Sequence, residues 1–358
     1  MSTRPLALLL LALACTLRPA EDHVRLDERV GRAETPDTLV LEEDGLAAIR
    51  EATPRGARLW AASPVLHLRL RTAGGPFELV VRNTLRDATL TLDDGTVIER
   101  EPGGLPTEAR FVLDLPAGVE RTARLAPPDA DAAGSFHVAV LSDVQDAIGE
   151  VQDIYERMRA DPSLRFVVST GDLTDSGTRA QLVRFQEELE TLPIPLYSTV
   201  GNHEVPGPEA WHDLFGPFNA FFRFRGVAFS LVDSSTATVD PALRRERLRP
   251  WLEAHRDAPH LFLTHVPILD ASGLRSGAFR SRNEAASLLQ ELADAEVDAL
   301  FFGHVHSYYA YSLAGIESYI AGGGGAIEEE LDGIGRHYLR VEVDGARGVL
   351  GVGLVRVD

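Results

Sequence analysis

Two hydrophobic rhythms divide the chain. From about residue 37 to residue 125 apolar and polar positions alternate: Leu66, Leu68 and Leu70 with His67, Arg69 and Arg71, then Phe77, Leu79 and Val81, then Phe111, Leu113 and Leu115 around Val112 and Asp114. A period of two puts successive side chains on opposite faces of a strand. Leu90 and Leu92 run into Asp93-Asp94-Gly95, a hairpin turn signal, with Val97 beyond it. Short strands separated by turn residues predict a small all-β, sandwich-like domain over 37–125. Residues 126–134, with two prolines and no periodicity, read as a linker.

From residue 135 to residue 358 the rhythm becomes strand, loop, helix. Apolar runs at Val138–Leu141, Phe166–Ser169, Leu196–Val200, Leu261–Leu263 and Ala299–Phe302 predict strands. Helical spacing appears at Val151, Ile154 and Met158, at Leu182, Phe185 and Leu189, at Leu248, Trp251 and Leu252, and at Leu288, Leu289 and Leu292. Thr178 with Gln181, and Ser281 with Glu284, are capping-box pairs. Phe221–Asp233 predicts a hairpin turning at Arg225-Gly226, and 337–343 with 349–357 a closing hairpin. Strands alternating with helices indicate an α/β domain, whose ligands gather beyond the carboxyl ends of strands.

Five short motifs occupy those ends: Asp143-Val144-Gln145, Gly171-Asp172, Gly201-Asn202-His203-Glu204, Thr264-His265 and Gly303-His304-Val305-His306. Each offers oxygen or nitrogen donors, a set suited to Mn, Fe, Zn or Co more than to soft copper. Gly-Asp alone is usually a turn, whereas Gly-Asn-His-Glu and Gly-His-x-His are far more specific. The run Gly322–Gly325 lacks the spacing of a nucleotide-binding fingerprint and reads as a tight loop at the rim of a site.

Taken in order, the motifs resemble those of the calcineurin-like metallophosphoesterases, over roughly the last two thirds of the chain. The resemblance implies a four-layer α/β/β/α sandwich, here preceded by the small all-β domain. It also implies hydrolysis of a phosphoester by two divalent cations that acidify a water and clamp the phosphate. Asp172 is then the bridging carboxylate, Asp143, Gln145 and His306 complete one metal site, and Asn202, His265 and His304 complete the other. His203 binds no metal; it lies over the phosphate and protonates the leaving oxygen. The family usually carries His where this chain has Gln145, which favours Mn at that site and resembles manganese-dependent ADP-ribose/CDP-alcohol diphosphatases. Asp175 replaces the tyrosine of purple acid phosphatases, and Val205 the arginine of calcineurin-type protein phosphatases. Alternatives are a nucleotide or lipid head-group diphosphatase or phosphodiesterase, and a catalytically disabled protein that binds envelope polymers.

Composition narrows the partners. The formal charge of −19 argues against nucleic acid polymers and anionic lipid as broad partners. All 35 basic residues are arginine, which excludes a Schiff-base or P-loop lysine. The only cysteine, Cys15, follows Arg4 and the apolar run Leu6–Leu13. That run is too short to span a bilayer and reads as an export signal over 1–14. Leu11-Ala12-Leu13-Ala14-Cys15 resembles a bacterial lipobox. Expected is a cell-envelope lipoprotein anchored at Cys15, with a tether over 15–36; the alternative is plain cleavage after Ala12-Leu13-Ala14 and release to the periplasm or medium. The histidines His23, His67, His137, His255, His260 and His337 read as structural, and His212 as core or surface. Arg275, Arg280 and Arg282 read as a solvated loop, and Glu328, Glu329 and Glu330 as solvated acids.

Overall fold

The computed structural model describes residues 19–271, 273, 277–329 and 333–357. The expected export signal, Cys15, Arg275 and Glu330 lie outside the described residues.

The N-terminal strands pair into a six-stranded sheet (Arg32–Thr35, Thr38–Glu42, Leu66–Arg71, Arg121–Ala126, Thr89–Leu92, Val97–Ile98, in spatial order) and a four-stranded one (Ala47–Thr53, Gly56–Ala61, Gly75–Arg82, Glu108–Leu115). Leu66, Leu68 and Leu70 of one sheet and Leu79, Val81, Phe111 and Leu113 of the other are buried between them. The sandwich begins earlier than residue 37, because Arg32–Thr35 is an edge strand with no buried position and so carries no period-two signal. Segment 127–134, without strand or helix, is pinned by Asp129, which accepts from Arg165 (2.7 Å) and Arg225 (3.4 Å).

The C-terminal half is built from two facing sheets. One runs Leu196–Ser198, Leu164–Ser169, Ser135–Leu141, His337–Asp344, Gly348–Arg356; the other runs Ala220–Phe224, Val227–Val232, His260–Thr264, Ala299–Phe302, Ile316–Ala321, Tyr308–Leu313. Their inner faces meet through residues such as Val140, Phe166, Val168, Phe229, Leu263 and Phe301. Helices Gln152–Arg159 and Arg179–Leu189 cover the outer face of the first sheet, and Arg249–Ala254 and Arg282–Asp294 that of the second. The result is the expected α/β/β/α stack. Its central strands are buried on both faces, which is why they read as unbroken apolar runs.

The capping boxes form only half as expected. Thr178 accepts from the Gln181 amide (3.3 Å), but the Gln181 carboxamide oxygen accepts from Ser176 N (3.0 Å). Ser281 accepts from Glu284 N (3.2 Å), while the Glu284 carboxylate binds Thr238 Oγ1 and Val239 N (2.7 and 2.8 Å). In both helices a neighbouring loop takes the second acceptor.

The two halves are firmly joined. Asn83 uses both ends of its amide on the edge strand Leu196–Ser198, donating to Leu196 O (2.7 Å) and accepting from Leu196 N (2.9 Å), as a neighbouring strand would. Arg50 donates to Leu214 O and Gln186 Oε1, and Trp60 packs edge-on against Phe215 at 5.7 Å. The expected tether over 15–36 is also corrected: Pro19–Asp27 is a helix with His23 and Asp27 buried against the α/β half.

Candidate metal centre

Each motif lies at or just past a strand end, and the backbone there is unusual. Asp143, Gln145, Asp172 and His304 all have left-handed φ, of 60°, 50°, 52° and 69°. Such conformations cost energy for residues with a Cβ and cluster where side chains must converge. The glycines serve chiefly by allowing close approach. A Cβ on Gly201 would lie 2.0 Å from Asp172 Oδ1, and one on Gly303 2.1 Å from Ser142 Oγ and 2.6 Å from Asp143 Oδ2.

All eight candidate residues come together. Asp143, Asp172 and His265 are fully or almost fully buried, and one donor atom from each lies within 4.8 Å of the others. Asp172 Oδ2 faces both halves of the cluster: Gln145 Nε2 is 3.2 Å away on one side and His265 Nε2 3.3 Å on the other. Its Oδ1 accepts from His203 N at 2.9 Å. On the Gln145 side, His306 Nε2 is 3.2 Å from the Gln145 amide nitrogen and 3.6 Å from Asp143 Oδ1. On the other, His265 Nε2 is 3.0 Å from Asn202 Oδ1, and the His265 and His304 rings meet edge-on at 5.2 Å. The His304 amide donates to both Asp143 oxygens, at 3.1 and 3.0 Å. His203 stands apart at the rim, its side chain 31% exposed and its Nε2 3.9 Å from Asp172 Oδ2.

Tautomers test whether this set fits cations. A carbonyl can only accept, so His265 donates Nδ1–H to Thr170 O (3.0 Å) and His306 donates Nδ1–H to Ile327 O (2.6 Å). Both Nε2 atoms therefore point into the cluster: that of His265 toward the acceptor oxygens of Asn202 and Asp172, and that of His306 toward the Gln145 amide nitrogen and, at 3.6 Å, Asp143 Oδ1. Lone pairs aimed at lone pairs are unfavourable unless a positive charge is shared among them. The charges agree. Burial disfavours charge on His265, yet Asp172 and Asp143 outweigh it and raise its pKa to about 9. Burial pushes Asp172 up, but His265 and the His203 N–H prevail and hold it at about 2. Asp143 is raised by burial. The groups fit divalent cations: two half-sets of oxygen and nitrogen donors sharing Asp172. Gln145 can turn toward a cation only its oxygen, since its amide nitrogen is a donor and no ligand.

One further residue carries the site. Glu204 is buried, and its carboxylate accepts from Asp172 N (3.0 Å), Gly201 N (2.9 Å), Thr174 N (3.0 Å) and Thr174 Oγ1 (3.0 Å). It ties the second motif's turn to the third's and so holds Asp172 in its left-handed conformation. Burial and the nearby Asp172 push its pKa up to about 7. Its place in Gly-Asn-His-Glu was the sequence signal. The Gly322–Gly325 run is a tight loop: Gly324 N donates to Ser142 O and Ala326 N to Asp143 O, at 2.8 and 2.9 Å. Of the other histidines, His260 bonds Ser230 Oγ (2.7 Å), and His212 Nε2 donates to Leu26 O (3.0 Å). Arg280 and Arg282 are exposed, as is Glu328, but Glu329 is half-buried and its amide donates to His306 O (3.2 Å) rather than being merely solvated.

Residues 136–308 match the family model "calcineurin-like phosphoesterase". A protein of Arcobacter nitrofigilis, described as a probable glycerophosphodiester phosphodiesterase, is 30% identical over 40% of this chain, which spans 58% of that protein. A purple acid phosphatase of yellow lupin shares the fold at a TM-score of 0.55 and 13% identity, covering 87% of this chain and 72% of that one. The overlap is too long to exclude the N-terminal sandwich. GAP50 of Plasmodium is 15% identical, at a TM-score of 0.45, over 63% of this chain and 89% of its own.

Proposed function

We propose that the chain is a calcineurin-like metallophosphoesterase, on the strength of the family match over residues 136–308, and that it hydrolyses phosphoester bonds at a centre holding two divalent cations. The observation that carries this is the buried group of Asp143, Asp172 and His265, whose donor atoms lie within 4.8 Å of one another. Two buried carboxylates so close need compensating positive charge. Asp143, Gln145, Asp172 and His306 would hold one cation, and Asp172, Asn202, His265 and His304 the other. Such cations supply a nucleophile at neutral pH and neutralise the phosphoryl oxygens. The protein's own residues do the rest. Glu204 and the Gly201 and Gly303 turns fix the donors in place. His203 donates Nδ1–H to Asp175 O at 2.5 Å, which leaves Nε2 directed to the open rim, where it can give a proton to the leaving oxygen.

A phosphodiester with a small alcohol group is the favoured substrate class. The support is the relative described as a glycerophosphodiester phosphodiesterase. Hydrolysis of aryl phosphate diesters faster than monoesters is expected, measured by release of the phenol; a clear preference for monoesters would remove the diester reading.

Gln145 sets the metal preference. An amide oxygen is harder and a weaker donor than imidazole, which favours Mn or Mg. Activity is expected to depend on added Mn, with one cation lost readily on dialysis. Gln145→His should tighten that site about tenfold, or ~1.4 kcal/mol, and broaden the metals accepted. Calorimetric titration of both forms checks this, and equal affinities would show that Gln145 is no ligand. A disabled site that only binds predicts instead that Gln145→His creates activity where the natural chain has none.

The proposed location is the cell envelope, supported by Arg4, the apolar run Leu6–Leu13 and Cys15. The mature chain is expected to begin at a lipidated Cys15 and to sediment with membranes. Mass spectrometry finding a free Cys15 thiol would end this proposal.

A further inference from the structure

The helix Pro19–Asp27, which precedes even the N-terminal sandwich, docks on the α/β half. Its contacts are buried and polar. His23, 1% exposed, lies 2.6 Å through Nδ1 from Asp233 Oδ2 and stacks on Phe218 at 4.2 Å with an interplanar angle of 10°. Asp27 accepts from Phe218 N (2.7 Å), Asn219 N (3.1 Å) and Asn219 Nδ2 (2.8 Å).

Two paths lead from these anchors to turns that carry candidate ligands. Phe218, held by Asp27, accepts through its carbonyl from Thr199 Oγ1 at 2.7 Å, and Thr199 leads into Gly201-Asn202. Asp233, held by His23 and by Asn219 Oδ1 (2.8 Å to its amide), is followed by Ser234, whose Oγ accepts from Val266 N at 2.8 Å. Val266 follows His265. Every residue named on both paths but the rim residue Asn202 is buried, so removing one leaves a buried group unsatisfied.

We propose that His23 and Asp27 are positioning residues for the metal centre: the N-terminal helix clamps the turns bearing Asn202 and His265, so metal affinity depends on a segment outside the domain that supplies the ligands. The inference rests on the proposed function for its consequence in metal binding, but its structural content stands apart from catalysis. The His23 and Asp27 contacts act on backbone that carries ligands, as groups that orient metal ligands do elsewhere, where their loss costs about 10–100-fold in affinity.

The test uses the full chain stripped of metal. Mn²⁺ is titrated calorimetrically into the wild type and into His23→Ala, His23→Asn and Asp27→Asn, well below each midpoint of unfolding. Amide hydrogen exchange is followed in the same metal-free samples. His23→Ala should weaken the tighter Mn²⁺ site about tenfold and speed exchange at Val266 and around Asn202, while the strand Leu164–Ser169 is unchanged. His23→Asn, which can still donate to Asp233, should restore both readouts. Leu70→Ala, which opens a cavity between the two sheets of the sandwich, should lower stability without altering Mn²⁺ affinity. Folded His23→Ala and Asp27→Asn proteins with wild-type Mn²⁺ affinity and wild-type exchange at Val266 would overturn the proposal. If His23→Ala does not fold, Asp27→Asn decides by the same criterion. Failure of the wild type to bind Mn²⁺ would sink the metallohydrolase reading, whereas the exchange data would still decide whether the helix positions the turns.

Discussion

Asp172→Asn is expected to reduce turnover about a thousandfold and to lower metal content on both sides of the centre. Asp172 is the carboxylate whose Oδ2 faces the Gln145–His306 side and the His265–Asn202 side at once, at 3.2 and 3.3 Å from the nearest atoms. Asparagine keeps the size and keeps an oxygen for the His203 amide, but it removes the negative charge shared by two cations. Several kcal/mol of charge stabilisation depend on the pair, and ~1.4 kcal/mol is worth a factor of ten. The fold should survive, since Glu204 grips the Asp172 backbone and not its side chain. Steady-state kinetics with an aryl phosphate diester, together with metal analysis of the purified variant, check this. Normal turnover would refute the assignment of two cations.

His203→Ala should separate catalysis from metal binding. The ring is at the rim and tethered through Nδ1 to Asp175 O, and its Nε2 is farther from Asp172 than that of His265. The variant should keep its metals and fold and lose roughly 10²–10⁴ in rate, the usual worth of a positioned acid. The loss should shrink as the leaving group becomes more acidic, because a good leaving group needs no proton. Rates across a series of substituted aryl diesters show this directly. Loss of metal from the variant would make His203 a ligand instead.

The chemistry was legible because each motif follows an apolar run, and a strand buried on both faces writes itself into the sequence as such a run. Side-chain donors were therefore readable one by one. The groups that aim them were not. Thr170 O and Ile327 O fix the tautomers of His265 and His306, and a backbone carbonyl has no sequence signature. The left-handed conformations of Asp143, Gln145 and Asp172 are imposed by tertiary contacts, Glu204 among them, and not by local propensity. The predicted strand Leu196–Val200 stops at Ser198, and the Thr199 hydroxyl beyond it bonds Phe218 O, a partner distant in sequence. The helix Pro19–Asp27 looked like a charged tether because the groups that bury Asp27 lie 191 and 192 residues away. Such a helix has few apolar positions of its own, and partners that distant leave no periodic trace.

The proposed function is hydrolysis of phosphodiesters through two cations held around Asp172. Its most direct test is a calorimetric titration of the metal-stripped protein with Mn²⁺, run beside hydrolysis of an aryl phosphate diester at each metal ratio. Two cations bound per chain, the weaker one restoring activity as it fills, is the predicted result. Full hydrolysis in the presence of excess chelator, or saturation at a single cation with Asp172→Asn unchanged, would contradict it.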